Sequence, residues 1–541
     1  MRAAYEARIA NHKVKGGGNY YASFWGDLQR VLLPALDFGR VNNRTRELYR
    51  VLLRKFPEQP KKFDILHMGM AHSISSPIDG HFYEISDKSW LKLIADMSTC
   101  PPDRNGKHWD AGTESTPPMF ARSLSAAAKK EPVRFAALSL QFPPNVYEGF
   151  SDAIVCAMDS PEVPLFLTCD VLRHFCQNPS AQMAISFAHV LRKRAVENWP
   201  SDILQNLIKI ACHHADPEPD SFPLRFDKSS VELSCDDLLH SSINCARGCA
   251  FEAIVELLWE HPENVEQFKP ALEYSVKDEN PAVLFSVLHC AAPVYNIDKT
   301  LSKILFDRLL ARDLRILGAR QAWDLLRLFY ESAPELYAER LKAAVQSPVD
   351  DLKKYAVIMV TTLVIMGYWR LEELKTLPLT DKQKDAACRQ AVIHYKYGEA
   401  HMYCEQLLRW LTDDNVKLPS LTLLFHHDYL QIPRDRSFVV ELLGKQCGSI
   451  IIGDVLHYLK TADVEARDYS EILFATSKML SGQKEHSMRY HVNDLVFCVA
   501  QLFRAGKDDE TFLNQCLDIW DEVYRIYPLS IQQLADLLEQ N

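Results

Sequence analysis

The sequence predicts an all-α chain built as a HEAT-like, α-α superhelical solenoid of stacked helix pairs, and three observations carry that prediction. One short signal recurs five times, an acidic or Ser-Pro opening followed by a long apolar-periodic run, at Asp278, Asp313, Ser347, Asp381 and Asp413. The successive spacings are 35, 34, 34 and 32 residues, a period that marks helix-pair repeats. Elsewhere apolar residues return at three- and four-residue steps, the period of a helix with one buried face. Such a two-helix unit cannot bury that face alone and must stack on the next unit. Tetratricopeptide units have the same length, but their Trp, Leu-Gly, Tyr, Ala, Phe and Pro pattern is missing here. Openings such as Asp278-x-x-Pro281-x-Val283 fit HEAT units better.

Bulk properties narrow the class. A chain of 541 residues exceeds one compact core and suits two or three domains or one long array. Hydrophobic residues make up 47% and charged residues 24%, the balance of a folded protein rather than a disordered one. With 61 Lys+Arg against 71 Asp+Glu the net charge is -10. That argues against a nucleic-acid partner, which requires a basic surface to meet the phosphates. The 14 cysteines are scattered without a C-x-x-C pair, and Cys156, Cys290 and Cys498 sit inside apolar runs, so they read as buried reduced thiols. The first residues lack an apolar core of signal-peptide length. The longest apolar run, Tyr355 to Tyr368, contains Thr361 and Thr362 and is too short to span a bilayer. The expectation is a cytoplasmic chain with no membrane partner.

Four regions follow in order. Residues 1–118 are an N-terminal helical segment. It holds the Gly16-Gly17-Gly18 joint, amphipathic runs at Tyr20–Leu36 and Arg44–Phe56, and a helix capped by Ser86 with Trp90, Leu91 and Ile94 as its buried stripe. The glycines are followed by no Gly-Lys-Ser/Thr, so they read as a joint rather than a phosphate loop. The turn-rich stretch Ser98–Pro118 reads as a surface loop. Residues 119–277 are irregular helical repeats: Met119–Lys130, Pro132–Leu140, a run through Leu172 to Phe175 opened at Asp159, and Gln182–Asn198. An insert at 216–234 with three prolines reads as an excursion where a partner binds, before one long helix Asp236–Glu260 and another at Asn264–Ser275. Residues 278–447 are the regular repeats. Their second helices are expected at Lys299–Ala311, Pro334–Val345, Tyr368–Leu377, Gly398–Leu411 and Phe438–Cys447. Residues 448–541 form a C-terminal helical cap with helices at Tyr469–Leu480, Tyr490–Phe503, Asp509–Tyr527 and Ser530–Glu539.

Three clusters invite a chemical reading. Cys212-His213-His214 with Cys235 and His240 has zinc-ligand residue types, but adjacent ligands diverge on a helix and no second close pair follows. Cys245 and Cys249 flank Arg247, a cation that would activate a thiol, yet the small neighbours Ala246, Gly248 and Ala250 point to close helix packing. His426-His427-Asp428 could supply a base and its orienting carboxylate, but neighbours in sequence face apart on a helix. Gly444-Lys445-Gln446-Cys447 lacks the spacing of a phosphate-binding loop. No catalytic, cofactor-binding or metal-binding residue is therefore assigned, and no enzymatic activity or cofactor is expected of this chain.

Three segments carry a resemblance to a known family. Ser76-Pro77-Ile78 leading into Ser86–Met97, then Glu131–Pro143, then Ser242–Trp259 resemble, in order and spacing, parts of the C-terminal helical region of large bacterial STAND-type NTPases, including members that act in antiphage defence. The resemblance covers roughly residues 60–541. It implies a protein-binding array that senses a foreign, phage-derived protein and releases an attached NTPase and effector, neither of which is present in this chain. No binding residue carries over from it. Two other readings stay open: a scaffold subunit of a bacterial complex, and a HEAT-like nucleic-acid-binding protein such as a helical-repeat glycosylase, which needs a basic concave stripe.

Overall fold

A computed structural model of the protein describes residues 39, 41–55, 78, 80–99, 116–143, 145–222, 232–413, 416–426, 429–461, 464–481, 491–506 and 508–528, with four further positions near the C-terminus. Among them every regular element is a helix and no strand occurs. None of these helices is long and apolar enough to cross a membrane. The chain divides into two compact units, Met1–Ser75 and Ser76–Asn541. In the first unit the described element is α1 (Asn43–Lys55), which buries Leu52 and is entered through Asn42, whose side chain accepts from the Thr45 N–H at 2.9 Å.

The second unit opens with α2 (Asp87–Ser98), α3 (Pro117–Lys130), α4 (Pro132–Ser139), α5 (Glu148–Ala157), α6 (Leu165–Phe175), α7 (Ala181–Lys193) and α8 (Ser201–His213). After the insert come α9 (Cys235–Ser242), α10 (Ala246–Glu260), α11 (Val265–Ser275), α12 (Pro281–Ile297) and α13 (Lys299–Arg312). A 3-10 turn at Leu314–Gly318 leads into α14 (Arg320–Phe329), α15 (Pro334–Val345), α16 (Asp350–Ile365), α17 (Leu371–Lys375), α18 (Asp381–His394) and α19 (Gly398–Asp413). A second 3-10 turn, Pro419–Phe425, precedes α20 (Arg436–Gly444), α21 (Gly448–Thr461), α22 (Ser470–Ser481), α23 (Val492–Gly506) and α24 (Glu510–Ile526).

These elements fall into two rows. In the first, α3, α5, α7, α10, α12, the Leu314–Gly318 turn, α16, α18, the Pro419–Phe425 turn, α21 and α23 each pack on the one before. In the second, α4, α6, α8 and α11 follow one another, and further along α19, α20, α22 and α24 do the same. The rows are cross-linked by pairs such as α12 with α13, α15 with α16, and α18 with α19. One buried apolar cluster runs between them from Trp90 to Val523. Each fully buried Leu, Val or Phe in it contributes about 1.5–3 kcal/mol.

Three of the recurring openings lie at or beside helix caps, whereas Ser347 precedes a helix without a side-chain cap and Asp413 is the last residue of α19. Asn280 accepts from the Ala282 N–H at 3.0 Å with Pro281 in the first turn, Asp313 from the Arg315 N–H at 2.9 Å, and Thr380 and Gln383 form a capping box at α18. Ser86 caps α2 as its sequence position predicts, accepting from the Ser89 N–H at 3.3 Å.

Three expectations are corrected. The single helix Asp236–Glu260 is two helices, because Cys245 is extended (φ −126°, ψ 156°) and the chain turns between α9 and α10. Gly248 permits the turn: a Cβ there would lie 1.8 Å from the Ser242 carbonyl oxygen. The first elements of the second and fifth repeats are short 3-10 turns rather than long helices. The helix expected at Tyr368–Leu377 shrinks to α17, since Gly367 takes a left-handed backbone (φ 79°) and Tyr368 and Trp369 both donate to the Leu363 carbonyl. The Gly16–Gly18 joint, the Tyr20–Leu36 run, Ser76-Pro77 and most of Ser98–Pro118 lie outside the described residues, as do 223–231 of the insert, the 482–490 loop and most of Ser530–Glu539.

Candidate functional site

The second repeat leaves a gap in the first row, because five residues of 3-10 turn stand where a long helix would run. The helix that follows the insert fills it: α9 packs on α12, on the Leu314–Gly318 turn and on α16. This explains α12, whose residues Ala282 to Leu288 are all buried, as are Cys290, Ala291, Pro293 and Val294. A helix apolar on every face needs cover on every face, and α9 supplies the last side.

The described flanks of the insert are tied to three successive repeat openings. At the first, the Arg247 guanidinium meets Asp278 in a bidentate pair at 3.0 and 3.0 Å and donates to the His214 carbonyl at 2.6 Å. Both side chains are close to nine-tenths buried. Asp216 accepts from the Ala246 N–H at 2.6 Å, placing a carboxylate at the positive end of α10. Asn280 donates to the carbonyls of Glu218 (2.7 Å) and Ser221 (3.2 Å).

At the second opening, Arg315, paired with Asp313 at 2.6 Å, donates to the Leu233 carbonyl at 3.3 Å. Beside it Cys235 is seated against Gly318. A Cβ at 318 would lie 2.3 Å from the Cys235 Cβ and 2.6 Å from its Sγ, so only glycine admits α9 here. At the third, Asp351 accepts from the Asp236 N–H at 3.2 Å and the Tyr355 hydroxyl donates to Asp236 at 3.3 Å. Burial, then the Asp236 carboxylate, pushes the Tyr355 hydroxyl up to about 12, so it stays a donor at neutral pH.

The structure does not bring the sequence-predicted zinc residues together. Cys212 accepts from Ser275 at 3.9 Å, and His213 packs edge-on against Tyr274. His214 donates from Nε2 to the Pro179 carbonyl (3.2 Å) and accepts at Nδ1 from the Asp216 N–H (3.0 Å), which fixes it as the neutral tautomer. His240 turns to its own helix at the Asp236 carbonyl, 2.8 Å away. Among the described residues no group of three or more His, Cys, Asp or Glu is arranged to hold a metal ion.

Around Arg247 the thiols are held protonated. Burial pushes Cys245 up to about 12 and Cys249 up to about 11, and their Sγ atoms donate to the carbonyls of Ser242 (3.4 Å) and Ile243 (3.2 Å). An activated nucleophile needs the opposite shift, and the Arg247 charge is already engaged with Asp278. His426 pairs with Asp454 at 2.9 Å, while His427 and Asp428 lie outside the described residues. Lys445 closes the C-terminal end of α19 by contacts to Asp413 (2.7 Å), Thr412 (3.2 Å) and the Arg409 carbonyl (3.3 Å), and also meets Glu441 at 3.0 Å.

Two charged centres escaped the sequence reasoning. Glu252 on α10 binds His289 on α12 at 2.5 Å with Arg192 of α7 at 4.0 Å, a contact along three successive first-row helices for which no local pattern exists. Asp435 is fully buried, accepting from the Gln431 N–H (2.7 Å) and Arg434 (2.8 and 2.9 Å), with His401 at 3.4 Å. The Nδ1 of His401 contacts the Tyr395 carbonyl at 3.1 Å, so it donates there while Nε2 faces Asp435 and Glu405. Only the Arg-Asp-Arg run at 434–436 hinted at this centre.

No protein-family model matches the chain, and no curated protein sequence matches it. Of the segments singled out in the sequence, Ser86–Met97 covers the cap and most of α2, Glu131–Pro143 contains α4, and Ser242–Trp259 spans the turn from α9 into α10.

Proposed function

We propose that this chain is a HEAT-like α-solenoid that works by binding another protein, as the sensing region of a bacterial antiviral STAND-type NTPase in the cytoplasm. The observation that carries the reading is the two-row order, in which each first-row element packs on its predecessor from α3 to α23. Stability in such an array is a sum of nearest-neighbour terms, and its sides form extended surfaces suited to a large ligand. The resemblance of α2, α4 and the α9–α10 turn to STAND-type sensors supplies the biological setting. Recognition changes how neighbouring elements pack, and an attached NTPase reads that change.

The test is affinity capture of the tagged chain from bacteria before and after phage infection, followed by calorimetry with the purified candidate. The reading expects a phage-encoded protein that appears only after infection and binds the pure chain at a fixed stoichiometry. Recovery of the same housekeeping proteins in both samples, with no binding by any purified phage protein, overturns it.

A further inference from the structure

A cleft of about 270 Å³ lies where the turn between α6 and α7 meets the C-terminal end of α8. Gln177 and Asn178 line it from the turn, Asn206, Lys209 and His213 line it from α8, and His214 stands just beyond. Positions 206, 209 and 213 follow at three- and four-residue steps, so they share one side of the helix. Leu204, Leu207 and Ala211 are buried on the other.

The lining is rich in hydrogen-bond donors and free of carboxylates. No Asp or Glu borders the cleft, in a chain whose net charge is -10. Its cation is Lys209, an exposed side chain whose one bond among the described residues is to Asn178 Oδ1 at 3.0 Å. That bond occupies the Asn178 oxygen and leaves its Nδ2 group free to donate. The Gln177 amide makes no hydrogen bond among the described residues, and the His213 ring has only its edge contact with Tyr274. Asn206 and His214 are spent differently: they donate to the carbonyls of Cys176 (2.7 Å) and Pro179 (3.2 Å) and hold the turn against α8.

We propose that this cleft binds a small phosphate ester, with Lys209 as the charge partner and Gln177, Asn178 and His213 donating to the remaining oxygens. A phosphate offers three acceptor oxygens to donors arriving from two elements, more than a carboxylate does. The volume falls just below the roughly 300–1,000 Å³ of sites for drug-sized ligands, so the ester carries a body the size of a sugar. The carbonyl end of α8 opposes an anion, which keeps the affinity near about 1 mM. His214 couples the cleft to the insert, because its carbonyl accepts from Arg247 at 2.6 Å and its Nδ1 from the Asp216 N–H at 3.0 Å. A ligand that bridges the turn and α8 therefore also steadies the first residues of the insert. The proposal goes beyond the protein-binding reading and does not rest on it.

Calorimetric titration of the full chain at low salt tests it, with ribose 5-phosphate as the probe and ribose and inorganic phosphate as comparisons. The ester is expected to saturate one site with a dissociation constant of about 1 mM or tighter, ahead of both comparisons. Lys209→Gln should weaken it at least about tenfold, the cost of one charge-assisted hydrogen bond, at an unchanged melting temperature. Absence of saturation by about 10 mM ester, equal binding by a folded Lys209→Gln chain, or ribose or inorganic phosphate binding as tightly as the ester overturns the proposal. If Lys209→Gln does not fold, hydrogen exchange of the wild type decides. Slower exchange of amides 176–180 and 214–216 with the ester supports the site, and unchanged exchange there refutes it.

Discussion

Removing the carboxylate of Asp278 is the sharpest perturbation of the insert's anchor. Asp278→Ala leaves the Arg247 guanidinium, close to nine-tenths buried, with only the His214 carbonyl as a partner. It also deprives the Asn280 N–H of its acceptor at 2.9 Å. Breaking one side of a buried ion pair costs about 3–5 kcal/mol, because the remaining charge is neither hydrated nor paired. At 1.4 kcal/mol per tenfold, that is roughly a hundred- to a few-thousand-fold in the local opening constant. Hydrogen exchange with peptide resolution reads it directly: amides of 214–221 and the first turn of α10 should exchange faster by that factor, while α21 to α24 keep their rates. Replacing both partners, Arg247→Met with Asp278→Leu, should recover most of the protection, since no lone charge is left. An acceleration below about threefold, or one spread evenly over the chain, would falsify the anchor.

Other outcomes follow from the same geometry. Gly248→Ala places a methyl 1.8 Å from the Ser242 oxygen and should destabilise by about 3 kcal/mol or more, seen as a lowered melting temperature or loss of soluble protein. Tyr337→Phe removes the 2.6 Å hydrogen bond to Asp307 and should cost about 1–2 kcal/mol in urea unfolding, whereas no loss would show that water replaces it. Cys249, pushed up to about 11 by burial, should react with a thiol reagent roughly a hundredfold more slowly than a free thiol at pH 8. Its rate should climb about tenfold per pH unit above that, and a plateau below pH 9 would contradict the shift. Burial raises Cys176, Cys245, Cys404 and Cys498 to about 12. Below about pH 8.5 these thiols are protonated in both states, and above it the unfolded chain loses protons that the folded chain keeps. Stability should therefore fall progressively between about pH 9 and 12, and a melting temperature flat to pH 11 would refute it.

Much of the helical order was legible because it is local. Ser86 reads as a cap and is one, and Asp313 and Asn280 likewise accept from free N–H groups of the first turn that follows them. The second helices at Lys299, Pro334 and Gly398 likewise fall where the apolar period places them. What local pattern could not reveal is which helix covers which. The Asp236–Glu260 run keeps one apolar period across a break, because α9 and α10 both bury apolar residues on α12, and the turn between them shows only in the extended Cys245 and the close approach that Gly248 permits. The insert looked like an excursion on account of its prolines, yet its described flanks are docked. One signal was present and went unread: the run from Ala282 to Leu288 is apolar on all sides, too many for one partner row, and it called for a third covering element. The Arg247 site was noticed as chemistry, but its partner Asp278 lies 31 residues away and no spacing rule joins them.

The central claim is that α9 lies in the gap of the first row, beside residues more than a hundred positions later in the chain. A photo-crosslinking residue at Asp236, activated in the intact protein and mapped by mass spectrometry, tests it most directly. The account predicts that the label is captured by residues 351–355, next to the Asp351 and Tyr355 side chains that hold Asp236. Crosslinks confined to sequence neighbours, with none to the start of α16, would contradict it.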